Sequence, residues 1–138
     1  MGVHIDGFIA LVAHTIVIGA SADKPVEGRA ADVILAAYNA IQGAYRLLRP
    51  GSFNSEVTKL VHKVSESYHC NPLEGVLSHE LKKHLIDGNN CIINKETFEQ
   101  KVEEREFQVN EVYGLDVIVS TGEGKPKEVL PFKGFLYI

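Results

Sequence analysis

Asn110-Glu-Val-Tyr-Gly-Leu-Asp-Val-Ile-Val-Ser-Thr-Gly-Glu-Gly124 reads as a β-strand: an apolar, β-branched run stopped by a Gly-x-Gly turn. One carboxylate, Asp116, stands in the middle of it. A charge inside a buried strand is costly unless it is paired or holds a metal. The residue therefore poses a choice between a metalloenzyme and a protein that has kept an enzyme's fold without its chemistry.

Upstream of that run, Phe107 to Val109 predicts a further short strand, and Glu99 to Glu106 is dense in charge, a solvated and poorly ordered connector. Asp87-Gly88 predicts the turn of a hairpin over His84–Asn94. Leu73 to Leu77 predicts a short strand, with Gly75 marking a bulge or close backbone approach. Two helices precede it. The first, Arg29 to Leu48, carries Val33, Ile34, Tyr38, Ile41, Tyr45 and Leu48 at spacings of three and four, a stripe expected to face the core. The second is capped by Asn54 or Ser55 and carries Val57, Leu60, Val61, Val64 and Tyr68. At the start of the chain, Asp6-Gly7 predicts a type I′ hairpin whose return arm, Phe8 to Ile18, outruns its partner. Such an opening, and the apolar cluster Val129 to Ile138, are what a fragment would show.

The 138 residues suffice for one domain with a real core, and 45% hydrophobic against 23% charged residues reads as globular. A net charge of −4 gives no overall pull toward nucleic acid. Cys70 and Cys91 are too few for a metal knuckle or a secreted disulfide framework and read as small, partly buried residues in a reducing compartment. No basic region precedes the first apolar stretch, and the longest apolar run, Phe8 to Ile18, is too short to cross a bilayer and contains His14. An intracellular chain with no membrane partner is expected. His79-Glu-Leu-Lys-Lys-His84 looks like a zinc-protease motif, but a spacing of five turns the second histidine about 140° away on a helix. No Gly-x-Ser-x-Gly elbow occurs, and Gly122-Glu-Gly-Lys125 lacks Walker spacing.

Four stretches together resemble one family. Gly2-Val-His-Ile-Asp-Gly-Phe-Ile-Ala-Leu-Val-Ala-His-Thr15, Gly28-Arg-Ala-Ala-Asp-Val-Ile34, Glu74-Gly-Val-Leu-Ser-His-Glu-Leu-Lys-Lys-His-Leu-Ile-Asp-Gly88 and the opening stretch are similar to the proliferation-associated, receptor-kinase-binding proteins. These are relatives of methionine aminopeptidase. The resemblance implies an α+β chain from the middle of a pita-bread fold, a curved and mostly antiparallel sheet with two packed helices. It divides the chain into residues 1–128, part of an aminopeptidase-like domain, and 129–138, a divergent apolar tail.

The resemblance also bears on catalysis. Active aminopeptidases hold a metal pair with two Asp, one His and two Glu. Carried over, the first Asp falls before Met1 and the last Glu beyond the C-terminus, while Leu11, Val76 and Asp116 occupy the other three positions. Leu11 and Val76 are lost ligand positions and Asp116 a vestigial one, hydrogen-bonded to backbone or hydroxyl groups. His79 is set aside as a substitute for Val76, since an offset of three residues falls on the opposite face of a strand. A lone carboxylate does not hold a hard divalent ion against water, so the expectation is no metal, no cofactor and no enzyme. What remains is an RNA- or ribosome-associated regulator of growth and translation, with regulatory protein partners, in cytoplasm and nucleus. A metal-dependent methionine aminopeptidase and a truncated gene product are the alternatives.

Overall fold

The computed structural model describes residues 1–127, so the expectation for the apolar tail 129–138 lies outside the described residues. In chain order the elements are β1 (Gly2–Ile5), β2 (Phe8–Leu11), α1 (Gly28–Leu47), α2 (Asn54–Ser67), β3 (Asn71–Pro72), β4 (Leu77–Glu80), β5 (Cys91–Ile93), β6 (Tyr113–Gly114) and β7 (Val119–Ser120). All strand pairs are antiparallel: β1 with β2, β3 with β7, and β5-β4-β6 in a three-stranded sheet. The fold is α+β, with helices on antiparallel strands. No helix among the described residues is long and apolar enough to cross a membrane.

The first hairpin forms as its turn residues dictate. Asp6 and Gly7 both have positive φ, 49° and 83°, the pair of left-handed conformations a type I′ turn needs. Only Phe8–Leu11 of the return arm is strand; the Val12 amide still donates to the Met1 carbonyl (2.9 Å), and residues 12–18 join no strand among the described residues.

The two helices form the centre. Ala40 and Ala44 of α1 meet Val57 and Val61 of α2, with Ile92 of β5 and Phe107 completing the buried cluster. Leu60, Val64 and Leu48 pack around it, so the stripe expected on α2 is the one that faces inward. Of the stripe expected on α1, Leu48 packs on the cluster and Val33, Ile34 and Ile41 are half-buried, but the two tyrosines face out. Tyr38 and Tyr45 are 54% and 48% exposed, while the buried face is Ala36, Ala40 and Ala44. The reason is distance: a Cβ placed on Gly43 would lie 2.6 Å from Leu60 Cδ2, so the helices approach too closely for tyrosines between them.

The ends of α2 also differ from expectation at one point. Its N-cap is Phe53, not Asn54 or Ser55. A phenyl ring accepts no hydrogen bond, so only half of a capping box exists, the Phe53 amide donating to Glu56 Oε2 at 2.9 Å. Asn54 instead reaches outward. Its Nδ2 donates to the carbonyls of Cys91 (3.0 Å) and Glu103 (2.8 Å), and its Oδ1 accepts from the Arg105 amide (2.9 Å). The charged connector is therefore solvated but pinned, which corrects the expectation of poor order. At the other end, the amides of His69 and Cys70 donate to the carbonyls of Glu66 and Ser65, a Schellman closure. His69 holds the left-handed position usually given to glycine (φ 53°), and the Arg29 guanidinium donates to the exposed carbonyls of Tyr68 and His69.

The strand readings around the opening stretch need four corrections. Tyr113–Gly114 pairs with β4 and Val119–Ser120 with β3, so the run is two short strands in different sheets, and Asp116 lies in the link between them. Residues 73–76 form no strand, because Gly75 takes φ 78° in a turn and β4 starts at Leu77. The second hairpin is wider than expected. Its arms are β4 and β5, with the Asp87-Gly88 step inside a loop whose Lys82–Leu85 turn makes its own bridge. Phe107 is anchored by its amide to the Ser52 carbonyl (2.9 Å) and by edge-on contact with Tyr113, and is not part of a strand.

Candidate functional site

A cleft of about 520 Å³ opens between the first hairpin and the three-stranded sheet, with Leu11, Leu77, His79, Leu81, Asp87 and Asp116 among its walls. Leu11 ends β2, and its Cδ1 would lie 3.2 Å from a Cβ on Gly114, so the missing side chain lets the hairpin close on β6. Leu77 and His79 share one face of β4, as alternation along a strand requires. Val76 precedes the strand and lines no part of the cleft. Its carbonyl accepts the Asn94 amide at 3.0 Å. Two of the three ligand positions implied by the resemblance, Leu11 and Asp116, thus come together, Val76 does not join them, and His79, set aside on sequence, does.

Asp116 is not the buried charge its setting in the sequence suggested. The residue is exposed. It is the backbone that is held: the Asp116 amide donates to Ser78 Oγ at 2.8 Å, and that hydroxyl donates back to the Asp116 carbonyl at 3.3 Å. Its carboxylate has no hydrogen-bond or ion-pair partner among the described residues, contrary to expectation. Partial burial against the cleft raises its pKa from the ordinary value. Among the described residues no three His, Cys, Asp or Glu side chains converge as a metal-holding group.

Behind the cleft, charges are arranged to support structure. Glu111 accepts from Arg105 and from Tyr113 Oη (3.1 Å), and its second oxygen also takes the Gln108 amide at 3.0 Å. Burial alone would raise the Glu111 pKa, and these donors outweigh it and hold it low. The Tyr113 phenol is pushed up to about 12, by burial first and by the bond to Glu111 second. The histidines singled out in the sequence are dispersed: His4 and His14 are exposed, His62 lies 3.5 Å from Glu66, and His84 occupies a turn at φ 64°.

Sequence reasoning missed one pairing. His79 and Cys91 face each other across β4 and β5, with Sγ 3.3 Å from Nδ1. Burial raises the pKa of the Cys91 thiol. Only the true centre of the hairpin brings these residues opposite one another, since a turn at Asp87-Gly88 pairs Cys91 with His84.

The arrangement has known counterparts. No family model matches the chain. It is 53% identical over 127 residues to ErbB-3 binding protein 1 of Arabidopsis thaliana, covering 92% of this chain and 32% of that protein. It is 47% identical over 128 residues to proliferation-associated protein A of Dictyostelium discoideum, covering 93% and 33%. A methionine aminopeptidase of Thermococcus onnurineus is 25% identical over 138 residues, 43% of its length. The solved structure of a thermophilic Arx1 superposes with a TM-score of 0.74 at 26% identity, over 96% of this chain and 43% of that one. The fold class is therefore the aminopeptidase-like, pita-bread class. Within it, the chain belongs to the proliferation-associated, ErbB-3-binding family, and it spans about a third of the length of the curated relatives it matches.

Proposed function

We propose that this chain is part of a non-enzymatic aminopeptidase-like protein that associates with RNA or the ribosome and regulates growth and translation in cytoplasm and nucleus. The observation that supports the loss of chemistry is the composition of the cleft. Leu11 stands where the resemblance calls for an aspartate, Val76 lines no part of the space, and the Asp116 carboxylate has no companion among the described residues. Water activation needs a cation fixed by several ligands, and one exposed carboxylate supplies a single ligand. The regulatory role rests on the family. With a chain charge of −4, no residue of this segment is assigned to RNA contact.

Calorimetric titration with Mn²⁺, a hard cation that avoids thiols, tests the first half: no saturable binding is expected. Tight stoichiometric Mn²⁺ binding, or release of N-terminal methionine from a peptide, would establish the competing aminopeptidase reading, which the similarity to the Thermococcus enzyme keeps in play. Co-sedimentation of the family-length protein with ribosomes tests the second half, and its absence at low salt would overturn it.

A further inference from the structure

We propose that His79, Cys91 and the carbonyls of Gly88 and Asn89 form a site for a thiophilic cation, Zn²⁺ being the ordinary case. Three electron-pair donors converge here, His79 Nδ1, Cys91 Sγ and the Gly88 oxygen, with the Asn89 oxygen beside the thiol. His79 Nδ1 lies 3.1 Å from the Gly88 oxygen and 3.3 Å from Cys91 Sγ. Cys91 Sγ in turn lies 3.6 Å from the Gly88 oxygen and 3.4 Å from the Asn89 oxygen. Zinc binds thiolate at about 2.3 Å and imidazole at about 2.0–2.1 Å, so donors at near-tetrahedral angles stand roughly 3.3–3.6 Å apart. The spacing of this cluster is close to that of ligands around one ion. Without a cation, these four groups share at most two protons, one on the imidazole and one on the thiol.

The donors are held before any ion arrives. His79 and Cys91 are register partners. The loop carrying the two carbonyls is tied to β4 by the Gly88 amide donating to the Glu80 carbonyl (3.0 Å) and by the Glu80 amide donating to the Asn90 carbonyl (2.8 Å). The Asn90 side chain adds a bond to the Glu80 carboxylate. Gly88 is required there, because a Cβ would sit 2.4 Å from the Glu80 carbonyl oxygen. His79 lines the cleft, which offers an entry path. On binding, Cys91 Sγ–H loses its proton to solvent and the thiolate and imidazole lone pairs form the metal bonds. Imidazole and thiolate select zinc-like cations over the hard ions that carboxylates prefer. The site is thus separate from the lost aminopeptidase ligands and stands whether or not the proposed function does.

Titration of the 138-residue chain with Cd²⁺, followed by sulfur-to-metal charge-transfer absorption, is the test. One equivalent should develop the band and release one proton, Cys70→Ser should keep it, and Cys91→Ser and His79→Gln should lose the band or weaken binding at least tenfold. Wild-type ¹¹³Cd NMR gives a reading that does not depend on variants folding, with a shift for mixed sulfur and nitrogen donors expected. No band in the wild-type chain, a band that survives Cys91→Ser, or a shift for oxygen donors alone would overturn the site. None of these outcomes alters the Mn²⁺ result, so the two readings fail separately.

Discussion

Replacing Asn54 tests how the connector and the helix layer are joined. The residue is 3% exposed, and its side chain makes three hydrogen bonds to three separate backbone groups, at Cys91, Glu103 and Arg105. A buried hydrogen bond contributes about 1 kcal/mol net, and a buried partner left unpaired costs about 1–3 kcal/mol. Glu103 and Arg105 lie on an exposed segment where water replaces the lost bond, so each contributes roughly half of the net figure. The Cys91 carbonyl, between α2 and β5, is harder to rehydrate and accounts for the rest. Asn54→Ala should therefore destabilise by about 2–3 kcal/mol, a large part of the 5–15 kcal/mol typical of a domain.

Asn54→Asp makes the test sharper. The carboxylate keeps an acceptor for the Arg105 amide but turns the donor into a negative oxygen facing two carbonyls. A charge at the start of α2 recovers only about 0.3–1 kcal/mol from the helix dipole. At neutral pH this variant should be no more stable than Asn54→Ala, and the gap should close in acid, where a protonated carboxyl donates again. Urea unfolding with an unchanged m-value measures both, and hydrogen exchange of the Arg105 amide reports the connector directly. A loss under about 0.5 kcal/mol for Asn54→Ala, or an aspartate variant clearly more stable at neutral pH, would refute the pinning argument.

Three further outcomes are expected. Ala40→Leu should cost about 1–3 kcal/mol by overpacking the helix contact, and Tyr38→Ala less than about 1 kcal/mol, and urea melts giving the reverse order would restore the tyrosine stripe as core. The Tyr113 phenol, ionising at about 12 in the fold against 10.0 when free, keeps its proton longer in the folded chain than in the unfolded one. Its contribution is complete below pH 10 and falls as pH rises toward 12. Glu111→Gln should bring the absorbance midpoint of Tyr113 down, and an unmoved midpoint would contradict the assigned bond. Asp116, with its pKa raised, favours the protonated form in the fold, so its contribution is present below 3.8 and lost as pH climbs through the raised value. Asp116→Asn should leave the neutral-pH urea midpoint unchanged or higher, and a clear drop would show that the carboxylate is bound to something.

Local rules were readable in the sequence where the deciding contacts are local. Asp6-Gly7 specifies its own turn through two left-handed residues, and the limits of α1 and α2 follow from proline and glycine breaks and helical spacing. The face of α1 was only partly readable, because periodicity weighs side chains by hydrophobicity. Two helices in close contact select instead for smallness, and Ala36, Ala40, Gly43 and Ala44 carry almost no hydrophobic signal. Asp116 fails for a related reason. A run of β-branched residues was read as one strand with one environment, yet its halves pair with different partners, and in the link between them Leu115 and Val117 turn to the core while Asp116 is exposed. The meeting of Leu11 with Asp116 was reached through family resemblance, since nothing local in either residue refers to the other. The facing of His79 and Cys91 depends on where a hairpin turns. Moving that turn by a few residues exchanges one histidine for another opposite the thiol, so a proposed metal site can be lost or gained on a register that composition does not encode.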